Sequence, residues 1–318
     1  MLTAISANQI PVYPGAADGL TRPAVHAPAI HGESGLAGTD LLPIPAVKHV
    51  ENESYITAMA KALLSTPKNT AWLVATGAMT NVAHLLNAHP EVAAHIKGLS
   101  MMGGAIGNHT EAPMGKVDDR ERIGNWSVWA EFNVLVDPEA AQQLFQNEIL
   151  NKKIALLPLD VTHLVLATKD VQEILLNGKD GRSNTTLRTM LVELLMFFAN
   201  TYSTVFGITE GPPLHDPLAI AIVLNGIAGA EIPFYDFKTG QEGRRERYFV
   251  DVVTEGSHEE ALSGSQTGRT IAKLLPEGKE GVLIPRGLDI QHFWTVLEDS
   301  LEAADKANVS KGLSGDRF

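Results

Sequence analysis

A short apolar run, a helical stretch and a second apolar run follow one another between Thr70 and Gly104. That order restricts the fold more than any other part of the chain. Ala71–Ala75 is the first run and ends at Thr76-Gly77. Val82, Leu85 and Leu86 then recur at helical spacing until Pro90, and Leu99–Met102 is closed by Gly103-Gly104. Strand, helix, strand predicts parallel strands joined by a right-handed crossover. The order recurs further on. Val134–Val136 reads as a strand, and Glu131 and Asn133, two apart at its entry, would share a face. Asp137-Pro138 reads as an N-cap and first-turn proline opening a helix to about Phe145. Ile154–Leu159 is the next expected strand, ending at Asp160. A long amphipathic helix runs from about Asn184 to Phe206 and stops at Gly207.

Beyond Ile227 the pattern changes. Tyr248, Val250 and Val252 alternate with polar neighbours, Thr270–Leu275 and Gly281–Ile284 read as strands, and Asp289 caps a helix to about Ala304. At the other end, Met1–Ile5 resembles the last turn of a helix and Ile10–Tyr13 a short strand, so the chain is expected to begin inside an element. The whole, 1–318, is expected to be one α/β domain with an open, mostly parallel sheet and flanking helices. Ligands of such sheets bind beyond the carboxyl ends of the strands. Thr76, Gly103-Gly104, Asp160–His163 and the polar loop 107–125, which delivers Asn125, would all lie at that edge.

Composition narrows the chemistry. A net charge of −12 with no Lys/Arg run disfavours nucleic acid. Zero cysteines exclude disulfides, thiolate metal sites and a cysteine nucleophile. No apolar stretch approaches the roughly 20 residues of a membrane span, and no basic-then-apolar leader is visible. A cytoplasmic setting fits these features.

His215-Asp216-Pro217 places an imidazole beside a carboxylate at one point on the backbone. Pro217 suits a first helical position, with Asp216 as N-cap, His215 just outside and Leu218–Leu224 as a buried helix. Helix capping alone would account for these three residues. Glu131, Asn133 and Asn125 together supply acceptors and donors for a polyhydroxyl ligand, although a solvated strand end would look similar. His31-Gly32-Glu33-Ser34-Gly35 is a Gly-rich turn, but Ser34 lacks the strand–turn–helix setting of a hydrolase nucleophile. Asp160 and His163 lack further ligands at zinc-like spacing and read as structural. Trp126, Trp129 or Tyr202 could stack on an aromatic ligand or simply pack.

Taken in order, several segments resemble the nucleoside hydrolase family. They are Val12–Ala16, Ile30–Leu36, Ala75–Asn81, Met102–Gly104, Gly124-Asn125, Ala130–Asn133, Asp137–Ala141, Leu159–His163 and His215–Pro217. Pro212–Pro217 and Phe197–Ala199 look most like the fungal uridine-type members. The resemblance implies a Rossmann-like core, hydrolysis of the N-glycosidic bond of ribonucleosides in nucleoside salvage, a small-molecule ribonucleoside substrate and a homo-oligomer. It implies that Asn125, Glu131 and Asn133 hold the ribose hydroxyls and that His215 protonates the departing base. His31 would lie near the base. The Thr76 carbonyl and the Asp216 carboxylate would ligate Ca2+, a hard cation that takes oxygen donors.

One departure matters. The family's N-terminal strand with its Asp-x-Asp-Pro-Gly-x-Asp-Asp cluster is not found, nor is the strand after it with a ribose-contacting Asn. Calcium takes roughly 6–8 oxygens, and only two of the family's protein ligands remain. The expectation is an N-terminally truncated domain with exposed sheet edges, poor stability and impaired hydrolysis. The alternative is a non-catalytic ribose- or nucleoside-binding or scaffold protein of the same fold. An unrelated metal-dependent phosphoester hydrolase, motivated by His215-Asp216 alone, would need a cation-rich phosphate site that the sequence does not show.

Overall fold

The computed structural model describes residues 1–32, 35–117, 120–181 and 183–311. Glu33 and Ser34 of the Gly-rich turn, and Asp118 and Asp119 of the polar loop 107–125, lie outside them. Three strands, β1 (Trp72–Ala75), β2 (Gly98–Met102) and β3 (Ile154–Leu157), form a parallel sheet in the order β1-β2-β3. Leu73 pairs with Leu99, and Leu99 with Ile154, so all three strands end on one rim. β2 and β3 are buried throughout, whereas β1 is half-buried up to Ala75. Among the described residues β1 pairs on one side only.

The helix Thr80–Ala88 crosses from β1 toward β2 and buries Val82, Ala83, Leu85 and Leu86. These pack with Val134, Leu144 and Phe145 into the main core, as the helical spacing requires. Asp137 ties several segments to it. Its carboxylate caps the helix Pro138–Gln146 through Ala140 N (3.0 Å). It also accepts from Thr80 Oγ1 (2.6 Å) and Leu20 N (2.8 Å). Beyond β3, a hairpin of β4 (Tyr248–Val252) and β5 (Thr270–Leu274) is antiparallel.

Five expectations need correction. Val134–Val136 is not a strand: Phe132–Val136 is a short helix with Glu131 at its N-cap, because the carboxylate accepts the first free amides of the turn. Gly281–Ile284 forms only single bridges, Leu283 to Ala155 and Val282 to Tyr248, joining β3 to the hairpin. The β3 run stops at Leu157, and Leu159–Thr162 coils into one helical turn. Asp216 is not the N-cap of its helix but its first residue; His215 holds the cap position without a side-chain capping bond. Finally, Met1–Ile5 is a series of turns, and Ile10–Tyr13 is irregular. Backbone bonds from Val50 N to Val12 O (2.8 Å) and from Ile10 N to Ala7 O (3.1 Å) tie the latter down.

The long helix Thr186–Phe206 ends at Gly207 in the left-handed region (φ 69°). Its start is fixed by Arg188, which is fully buried against the final helix Ile290–Ser310. The guanidinium donates to both Glu298 oxygens (2.9 Å each), to Asp305 Oδ2 (2.6 Å) and to Leu175 O (2.7 Å). Removing one partner of such a pair strands the other charge in the core. Arg188→Ala is expected to lower unfolding free energy by about 3–5 kcal/mol in urea titration, and a loss under about 1 kcal/mol would contradict this role.

Candidate active site

Thr76 follows β1, and Met102 ends β2. Both open onto one cavity of about 340 Å³, within the range of small-molecule sites. His31, Thr76, Asn125, Glu131, Asn133, His215 and Asp216 all line it. The structure thus brings together the seven residues that the family resemblance nominated for substrate, metal or proton transfer, from segments more than 180 positions apart.

Glu131 is the best-anchored of them. It is 2% exposed, and its carboxylate accepts three backbone N–H groups: Asn133 (2.9 Å), Gly104 (2.8 Å) and Val134 (3.1 Å). Gly104 sits at φ +78°, where an added Cβ would meet Thr270 Oγ1 at 2.7 Å, so glycine is needed for this approach. Burial pushes the Glu131 carboxyl up to about 7; the three N–H donors oppose that rise, and Asp216 adds to it.

The two asparagines have settled orientations. Asn125 Oδ1 accepts from Phe132 N (2.9 Å), which leaves its NH2 group as a donor. Asn133 Nδ2 donates to Met102 O (3.1 Å), which leaves its oxygen as an acceptor. One donor, one acceptor and a carboxylate therefore face a single small volume, a set suited to adjacent hydroxyls.

At the other wall, His215 lies between two hydroxyls: Thr162 Oγ1 at 2.7 Å from Nδ1 and Tyr202 OH at 2.5 Å from Nε2. Burial, then the neighbouring His163, push His215 down to about 3, so the imidazole is neutral near pH 7. Tyr202 is raised well above the usual phenol range by burial and by the Glu131 and Asp216 carboxylates, and keeps its proton. Each hydroxyl shares one proton with its ring nitrogen, and the tautomer of His215 follows from whether Tyr202 donates to Nε2 or accepts from it. Asp216 opens onto the cavity and makes no hydrogen bond within the described residues; crowding by protein on its other sides pushes it up to about 6.

The helix 186–206 supplies an aromatic wall that the sequence reading largely missed. Phe198, Thr201, Tyr202 and Phe206 line the cavity at helical spacing. That stripe was the available signal. His31 meets Phe198 edge-on at 5.7 Å, and Trp126 packs on Phe132 at 4.8 Å. Trp129 instead lies under Arg269 (4.5 Å) and does not line the cavity. Arg122, also in the wall, carried no sequence signal. Asp160 and His163 belong to the framework. Asp160 accepts from Ile106 N and Gly107 N (2.8 Å each), while His163 Nδ1 donates to Pro113 O (2.7 Å). No group of three or more His, Asp or Glu poised to hold a metal occurs among the described residues.

Two amides, a carboxylate and an imidazole–phenol pair thus share one cavity at the rim of a parallel α/β sheet. Residues 1–295 match the family described as inosine-uridine preferring nucleoside hydrolase, and the chain belongs to that family. It is 34% identical to uridine nucleosidase of Saccharomyces cerevisiae over 97% of this chain and 84% of that protein. Pyrimidine-specific ribonucleoside hydrolase RihA of Salmonella arizonae is 40% identical over 70% of this chain; the chain spans 64% of that relative's length. Among solved structures, a purine-preferring ribonucleoside hydrolase from Gardnerella vaginalis has the same fold. Its TM-score is 0.72 at 23% identity, over 96% of this chain and 84% of that one.

The Glu131 contacts make a direct stability prediction. Glu131→Ala frees three amides at once and is expected to cost about 1–3 kcal/mol in urea unfolding, with Glu131→Gln losing less. Equal stability of Glu131→Ala and the parent chain would contradict the anchoring role.

Proposed function

We propose that this cavity binds a ribonucleoside, with uridine the first candidate, and that its chemistry is hydrolysis of the N-glycosidic bond to free base and ribose. The observation that carries the reading is the convergence of seven nominated residues on one small cavity in a chain of this family. The pyrimidine preference rests on the activities of the yeast and bacterial relatives, a uridine nucleosidase and a pyrimidine-specific ribonucleoside hydrolase.

In this reading the Asn125 NH2, the Asn133 oxygen and the Glu131 carboxylate grip the ribose hydroxyls. His31, Phe198 and Trp126 flank the base. Bond breaking puts positive charge on the sugar and negative charge on the base, as in other glycoside hydrolysis. The carboxylates of Glu131 and Asp216 favour the first. The second calls for a proton: in the tautomer with N–H on Nε2, His215 gives that proton to the Tyr202 oxygen as the phenol passes its own to the base, so no phenolate is left; such transfer typically supplies 10²–10⁴-fold.

The calcium that the resemblance implies is not matched by the donors present. Thr76 and the unbonded Asp216 carboxylate both line the cavity, but two candidate oxygen donors among the described residues fall well short of roughly 6–8. No step is assigned to a cation. Slow turnover is therefore the reading for the described residues alone, and the same shortfall favours nucleoside binding without catalysis as the second reading.

Two measurements separate these. In calorimetric titration, uridine is expected to bind, and Asn133→Ala is expected to weaken it by about tenfold, the value of one buried hydrogen bond. Failure of uridine, cytidine and inosine all to bind would overturn the reading. Release of uracil from uridine in millimolar calcium is expected to be slight, while fast, chelator-sensitive release would show that the cation cage is complete.

A further inference from the structure

We propose that Arg122 is a positioning residue: its guanidinium fork holds the carbonyls of Gly124 and Asn125 and thereby sets the Asn125 amide against the cavity. The ribonucleoside reading above supplies only the identity of the ligand. Loop 107–125 is anchored at its start by Asp160, as described. Its far end turns back sharply, with Ile123 N and Gly124 N both donating to Val128 O (2.8 and 3.1 Å). A Cβ on Gly124 would lie 2.0 Å from Ala130 O, so the backbone passes in direct contact there. This packing aims the carbonyls of residues 124 and 125 away from the turn. Arg122 takes both, Nε to Gly124 O at 2.7 Å and Nη2 to Asn125 O at 2.8 Å.

The guanidinium sets Nε and Nη2 in one fixed plane on two successive carbonyls, whereas a lysine at 122 would bring rotatable donors on a longer flexible stem. No carboxylate is found for Arg122 among the described residues, so its fork rather than an ion pair accounts for its place. The face of the guanidinium lies 5.2 Å from the Phe206 ring centre, a cation–π contact with the last residue of the long helix. Arg122 and Phe206 also line a neighbouring cavity of about 580 Å³, so this pair is the partition between the two. Arg122 thus links the loop that carries Asn125 to the helix that carries Tyr202.

The test is a binding cycle with a second readout by hydrogen exchange. Arg122→Ala is expected to raise the dissociation constant of uridine about tenfold or more, and Arg122→Lys to recover little of it. Because Arg122 acts through Asn125, the double variant Arg122→Ala/Asn125→Ala should bind no more weakly than Asn125→Ala alone. The Phe132 amide, held by Asn125 Oδ1, should exchange faster in Arg122→Ala while the β2 amides keep their protection. Unchanged uridine affinity, additive losses, or an unchanged Phe132 amide would each overturn the proposal. If the parent chain binds no ribonucleoside, the functional reading falls, and the Phe132 amide alone then decides the role of Arg122.

Discussion

The site depends on one buried carboxylate. Glu131 accepts three amides from two segments: Gly104 after β2, and Asn133 and Val134 in the first turn of the following helix. Without those bonds the N-terminal turn of a short helix would hold unpaired donors in the core, which is expensive. With them, the end of a fully buried strand and the residues that bear Asn133 are locked together. The same carboxylate is left facing the cavity. Framework and chemistry therefore share one group, and neither can change without the other.

The opposite wall is built on different physics. His215 is neutral because protein surrounds it, and it is held between the Thr162 and Tyr202 hydroxyls. Aromatic rings of a single helix back that pair, and the helix is fixed at its far end by the buried Arg188 cluster. A polar floor and an aromatic wall suit a ligand that is a sugar at one end and a flat ring at the other.

The parallel βαβ core was legible because buried strands and an amphipathic helix leave distinct periods in the sequence. The long helix and its terminal glycine were legible for the same reason, and the Asp137-Pro138 and Asp289 caps because capping is local. Glu131 lines the same cavity as Asn125 and Asn133, but from a helix N-cap and not from a strand entry. Phe-Asn-Val-Leu-Val reads as a strand by propensity, and only the tertiary approach of Gly104 makes the capped turn the better solution. His215-Asp216 misled by one residue, since Pro217 suits the second helical position as well as the first. Arg122 and the bonding of Tyr202 to His215 were not legible at all: both depend on where a long loop and a distant helix meet.

The central claim is that the three amides around Glu131 form the floor of a ribonucleoside site. Amide chemical shifts during uridine addition test it most directly. The account predicts the largest changes at Gly104, Asn133 and Val134, with the Asn125 side-chain NH2 moving in step. Saturable changes confined to other parts of the chain, with those four signals unmoved, would contradict it.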